Sequence, residues 1–277
     1  MPFTGILAKV VAGATLATLA AGCGGAAADP QSPSAPRDTA GLPTVVLVHG
    51  AFADSSSWNG VVAGLQRDGY PVLAVANPLR GLHSDAEYVG SVLDSVSGPV
   101  VLAGHSYGGS VMSQAAVGRP NVKALVFIAS FLLEPGESTS QLAAKFPGAQ
   151  LGPALEPAPF PLPGGGTGND LYIKQAEFRR VFAADVAPET TALMAATQRP
   201  IAESALNEPA TAAAWKTIPS WNLVTTQDLA IPAESMRFMS TRAHSHTVEV
   251  DASHAVTVSA PGAVADLIAE AARATAA

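Results

Sequence analysis

The chain has 277 residues, is 48% hydrophobic, and carries 22 acidic against 15 basic side chains for a net charge of -7. This excludes a chain disordered throughout and allows one large α/β domain, alone or with an insertion. The negative charge, with no Lys/Arg cluster, argues against nucleic acid and against anionic membrane surfaces, since binding to either draws on concentrated positive charge.

Residues 1–23 read as a targeting segment. Lys9 ends a short, weakly basic start, Val10 to Ala21 is almost wholly apolar or small, and "LAAGCGG" comes next. About a dozen apolar residues is too short to span a bilayer and suits a secretory h-region. Leu19 to Cys23 resembles a bacterial lipobox, in which the cysteine becomes the lipidated first residue, although Ala20 stands where that pattern usually has Leu. The expectation is an exported cell-envelope lipoprotein, bound to membrane only through a lipid on Cys23, with plain secretion as the alternative. Cys23 is the single cysteine, so an internal disulfide framework and a multi-cysteine zinc site are both excluded. Residues 24–43, an Ala/Pro/Ser mixture without periodicity, read as a tether, and the folded domain occupies 44–277.

Four apolar, β-branched runs come after the tether: "TVVLVHG", "PVLAVAN", "PVVLAGHS" and "NVKALVFIAS". Each predicts a buried strand. Helical patterns over Trp58–Arg67, Ser84–Val96 and Gly108–Val117 separate them, with Gly or Pro at the ends. Strands alternating with such helices predict an α/β fold: a mostly parallel sheet with helices on both faces and functional groups at the strand C-termini. From about 131 to 214 the rhythm breaks. That stretch holds "GPALEPAPFPLPGGGTGND", too rich in Pro and Gly for a core strand or helix, then helical patches over Leu171–Phe182 and Thr190–Ala196. It reads as an inserted cap. The rhythm returns with "PSWNLVTTQD", a helix over Ala233–Arg242, "HTVEV", and a last helix over Pro261–Ala274.

The chemistry centres on "GHSYG". A bare G-x-S-x-G is weak evidence, but here Ser106 stands between a buried strand and a helix opening with Gly108 and Gly109, the context of a nucleophile elbow. A Ser hydroxyl needs a His to take its proton and a carboxylate to hold that His in one tautomer. His254 comes after the last strand on a short loop before the terminal helix, at the same sheet edge as Ser106. Asp228 closes "WNLVTTQD". The order Ser106, Asp228, His254 fits the fold, and the rival acid, Asp251, lies only three residues before His254. "HGAFADSSSW" begins where the first strand ends, so the Ala51 N–H joins the Tyr107 N–H as the two donors of an oxyanion hole.

The set "VLVHGAFADSSSW", "VVLAGHSYGG", "TTQDLAIP" and "DASHAVTVSAP" resembles the α/β-hydrolase superfamily, in the branch of small plant methylesterases, hydroxynitrile lyases and bacterial esterase relatives. The resemblance covers most of Thr44 to Ala274 and is weakest over the cap. It implies hydrolysis of a small-molecule carboxylic ester through an acyl-enzyme on Ser106, with no metal and no organic cofactor.

Two other functions stay open: a hydroxynitrile-lyase-type C–C lyase and a non-enzymatic small-molecule receptor on the same fold. The lyase branch typically has Thr after the strand-ending His and Lys after the catalytic His, where this chain has Gly50 and Ala255. Lys145 or Lys174 would then have to supply the cation. Structural readings compete at several positions. Ser106 could be a tight turn in a nucleotide-binding or carrier protein. His49 and His105 read as structural support, and Trp58, Trp215 and Trp221 as packing. His244 and His246 have the spacing of two metal ligands but lack a third. Phe146, Phe160, Leu162 and Met194 could line a cap pocket or merely pack.

Overall fold

The computed structural model describes residues 41–276. The targeting segment, Cys23 and most of the tether lie outside the described residues.

β1 (Thr44–Val48) is buried along nearly its whole length, as a strand covered on both faces must be. A 3-10 turn at Ser55–Trp58, capped by the Asp54 carboxylate accepting the Ser56 N–H at 2.8 Å, leads into α1 (Asn59–Arg67). β2 (Val72–Val75) precedes α2 (Leu82–Asp94), which buries Leu82, Ala86, Val89 and Leu93 along one stripe. β3 (Val100–His105) and α3 (Tyr107–Ala115) are almost wholly buried, so this strand–helix pair runs through the middle of the molecule. β4 (Val122–Ile128) completes the first half.

The segment between the two halves of the main sheet opens with α4 (Thr139–Ala143), started by a capping box in which Ser138 and Gln141 exchange side-chain-to-backbone hydrogen bonds. Next come α5 (Leu151–Ala154), β5 (Leu155–Pro161), β6 (Thr167–Ile173), α6 (Gln175–Phe182), α7 (Pro188–Thr197), β7 (Ile201–Ala202) and α8 (Glu203–Asn207). The Pro/Gly-rich stretch is therefore a hairpin. Gly164, Gly165 and Gly166 all take positive φ and turn the chain. β5 is an edge strand of the antiparallel sheet β5-β6-β7, and Pro157, Pro159 and Pro161 fall at alternate positions, so their missing N–H groups share one side of the strand. The helix predicted from Leu171 begins only at Gln175. Leu171 instead pairs with Pro157 on one side and Ile201 on the other, because pairing between strands outweighs local helical periodicity.

The main sheet resumes with β8 (Ser220–Thr225), α9 (Ala233–Ala243), β9 (His246–Val250), α10 (Val256–Ser259) and α11 (Pro261–Ala274). Its order is β2-β1-β3-β4-β8-β9, and every neighbouring pair is parallel. The order reverses between β1 and β3. Such a switch point opens a crevice outside the carboxyl ends of the two strands, and it is there that the loops carrying Ala51 and Ser106 leave the sheet.

Candidate active site

Ser106 is the single residue between β3 and α3. Its backbone takes φ 54 and ψ -127, a conformation that a non-glycine residue holds only under strain, at a cost of order 1–3 kcal/mol. Close packing enforces it. A Cβ on Gly108 would collide with the Val48 carbonyl oxygen, and one on Gly104 would stand 2.7 Å from the Gly108 oxygen. The Ser106 N–H donates to the Ile128 carbonyl at 3.2 Å, and its own carbonyl accepts from Ser130 Oγ at 2.6 Å and the Gly109 N–H at 3.0 Å. These bonds pin the backbone of the turn at the C-terminal edge of the sheet.

His254 and Asp228 are brought together. His254 Nδ1 donates to Asp228 Oδ2 at 2.7 Å, and both side chains are buried. The acceptor-only carboxylate requires the proton on Nδ1, which leaves Nε2 with a free lone pair. Three further donors hold the carboxylate: Thr225 Oγ1 on Oδ2 at 2.8 Å, and the Ala230 and Ile231 N–H groups on Oδ1, each at 2.8 Å. Asp251, the rival acid, is exposed and accepts from Thr226 Oγ1 and Gln227 Nε2 instead.

The His254 loop is tied to the elbow through the residue preceding Ser106. His105 Nε2 donates to the His254 carbonyl at 2.9 Å, and the two rings lie 4.8 Å apart between centroids. Burial pushes His105 down to about 3, so it is a neutral strut. His49 is likewise pushed down to about 4 by burial. Its Nδ1 donates to the Gly50 carbonyl, and its own carbonyl accepts from Asn77 Nδ2 at 3.0 Å. Phe182 packs its edge on the His254 ring at a centroid distance of 4.9 Å, and its carbonyl accepts the Ala255 N–H.

Ala51 and Tyr107 both line the same small cavity as Ser106, about 60 Å³ in volume. Neither N–H makes a backbone hydrogen bond among the described residues, whereas the next one, of Phe52, is bonded to the Arg199 carbonyl at 3.0 Å. Tyr107 is fixed from its far end. Its phenol donates to the buried Asp85 carboxylate at 2.9 Å, and burial together with that carboxylate pushes the phenol's pKa up. Asp85 also accepts the Arg80 N–H, and burial pushes its pKa up too.

Thr225, Asp85, Ser130 and Phe182 were not singled out from sequence. Thr225 had no signal, since a Thr ending a β-branched strand reads as an ordinary strand residue. Asp85 had none, since an acid in the first turn of a helix reads as an ordinary N-terminal charge.

The other candidates lie elsewhere. His244 caps α9 in the left-handed region, and His246 faces Glu270 at 3.1 Å. Lys145 Nζ sits over the Phe238 ring and Lys174 Nζ donates to the Pro153 carbonyl, so neither lines the Ser106 cavity. Trp58, Trp215 and Trp221 are buried. Phe146 packs on Phe238 and lines a groove with Leu151 and Leu206, Phe160 lies under Arg80 and lines another with exposed Leu162, and Met194 lines a third with Phe52.

The sequence pattern of the alpha/beta hydrolase family matches residues 45–267. This chain belongs to that family. It is 28% identical over 210 residues to the alpha/beta hydrolase nvfD of Aspergillus novofumigatus, covering 69% of this chain and 80% of that protein. Its fold resembles that of polyneuridine aldehyde esterase, with a TM-score of 0.72 at 18% identity over 83% of this chain and 98% of the other. A pyrethroid hydrolase from Sphingobium faniae JZ-2 is similar at a TM-score of 0.67 and 23% identity, over 84% of this chain and 98% of the other. A methylesterase from Arabidopsis gives 0.70 at 16% identity, over 84% and 99%.

Proposed function

We propose that this α/β hydrolase cleaves neutral carboxylic esters through an acyl-enzyme on Ser106. The observation that carries the reading is the buried Asp228–His254 hydrogen bond on a loop that His105 ties to the strained Ser106 elbow, with the proton held on Nδ1 so that Nε2 is free to act as base. In the first half-reaction Ser106 Oγ bonds to the acyl carbon, and its proton passes to His254 Nε2. The tetrahedral oxyanion takes the Ala51 and Tyr107 N–H groups, each such donor being worth about 3 kcal/mol. The C–O bond to the alcohol then breaks as His254 returns the proton to the leaving oxygen. Water repeats the sequence and releases the acid.

The lining supports a neutral substrate. Around the Ser106 cavity, and in the groove of about 400 Å³ that shares Leu151, Leu206 and Ala230 with it, no lining residue is charged. An anionic substrate would leave its charge unpaired there. The esterases and hydrolase among the structural neighbours support the same reaction class.

The lyase reading is disfavoured by the walls of the site. A Cβ on Gly50 would stand 2.7 Å from the Ser106 Cβ, so the Thr typical of the lyase branch has no room here, and no Lys lines the Ser106 cavity to hold departing cyanide. The test is a panel of alkyl and aryl esters assayed with the wild type and with Ser106→Ala, alongside cyanide release from mandelonitrile. Ester turnover lost in Ser106→Ala, with no cyanide released, is expected. Fast cyanide release with negligible ester cleavage would reject the reading.

A further inference from the structure

A cavity of about 60 Å³ is too small for a whole ester, so both limbs of a substrate must extend beyond it. One outlet is the apolar groove under α4, α5 and α8. A second groove, of about 350 Å³, adjoins the cavity at one residue: Phe52 lines both. Its other walls come from the loop after β1, from Leu193 and Met194 on α7, and from Val258 on α10.

The direction of proton transfer decides which limb goes where. The leaving oxygen takes its proton from His254, so the alcohol limb departs along the flank of that ring. Phe182 packs edge-on against the His254 ring, and Phe52 in turn packs edge-on against Phe182 at 6.3 Å between centroids. Val258 lies four residues beyond His254, on the helix its loop leads into. The groove past Phe52 is thus linked to the His254 loop through Phe182 and Val258, which assigns it to the alcohol limb and leaves the groove under α4, α5 and α8 for the acyl limb.

We propose that the groove beyond Phe52 is the alcohol subsite, fitted to a neutral alcohol with a bulky apolar body, and that the Phe52 side chain sets how large that alcohol can be. The inference rests on the esterase reading. The Phe52 backbone is fixed, with φ 60 and its N–H bonded to the Arg199 carbonyl, so side-chain size rather than loop movement governs the aperture. Exposed Leu193 and half-buried Met194 supply apolar surface on the far wall, and the one charged residue lining the groove, Asp54, has its Oδ1 occupied by the Ser56 N–H and hydroxyl.

The test compares kcat/KM in two ester series on the full chain: butyrates of methanol, butanol, octanol and benzyl alcohol, and methyl esters of butyric, octanoic and dodecanoic acids. Phe52→Ala opens the wall and should raise the octyl-to-methyl and benzyl-to-methyl ratios roughly tenfold or more. Met194→Trp fills the groove and should lower the same ratios by a similar factor. The dodecanoate-to-butyrate ratio of the methyl esters should move in neither variant. Unchanged alcohol ratios in both variants, or changes confined to the acyl series, would overturn the subsite while Ser106-dependent cleavage of methyl butyrate kept the esterase reading standing. No cleavage of any ester by the wild type would reject both.

Discussion

Asp228→Asn removes one charge and almost no volume, and the hydrogen bonds around Asp228 dictate how the new amide must turn. Oδ1 accepts two backbone N–H groups, from Ala230 and Ile231, which an amide nitrogen could not face. The Asn carbonyl must therefore occupy that place, turning its NH2 toward His254 Nδ1 and Thr225 Oγ1. Nδ1 then becomes an acceptor, the ring proton moves to Nε2, and the base that should deprotonate Ser106 is lost. A wrong tautomer of this kind costs on the order of 10⁴ in rate, or about 5 kcal/mol of transition-state stabilisation. Stability should fall much less, by about 1–3 kcal/mol for the weakened buried hydrogen bonds. Initial rates on p-nitrophenyl butyrate, with thermal denaturation of the same samples, read both quantities. Asp251→Asn, an exposed change, should stay near wild type. A folded Asp228→Asn enzyme within tenfold of wild type, or a large loss in Asp251→Asn, would refute the assignment of the acid.

Gly108→Ala should collapse the elbow, since its Cβ would collide with the Val48 carbonyl oxygen; ester turnover should vanish, and chemical denaturation should register a loss of about 1–3 kcal/mol or more. Tyr107→Phe removes the phenol donor from the buried Asp85 carboxylate, leaving it the Arg80 N–H, and should cost about 1–3 kcal/mol by the same measurement. His49 and His105 are held neutral in the folded chain, at about 4 and about 3, against 6.5 when unfolded. Their stabilisation is thus complete above pH 6.5 and is lost as pH falls toward those lower values, because the unfolded chain takes up the protons first. Melting temperatures tracked downward from pH 7 should therefore begin to drop below about 6.5, and less steeply in His105→Asn, whose amide can still donate to the His254 carbonyl.

The parallel sheet and its elbow were legible because their signals are local: β-branched runs buried on both faces, and small residues at Gly104 and Gly108 where backbone meets backbone. Asp228 and His254 were legible from chain order, as the ends of two late strands that a parallel sheet delivers to one edge. The segment between β4 and β8 was legible only as an interruption. Its β5–β6 hairpin hides in a sequence whose prolines forbid a central strand yet suit an edge, and Leu171 keeps a helical period while pairing as a strand. Contacts across the fold left no trace at all. The Tyr107–Asp85 bond joins residues 22 apart, and the packing of Phe52, Phe182 and His254 joins three separate segments.

Covalent capture of the nucleophile tests the central claim most directly. The full chain, treated with a fluorophosphonate and digested for peptide mass analysis, should carry a single phosphonyl group on Ser106 and lose ester turnover in step with labelling, while Ser106→Ala stays unlabelled and inactive. Stoichiometric labelling of another residue, or ester turnover that survives complete modification of Ser106, would contradict the account.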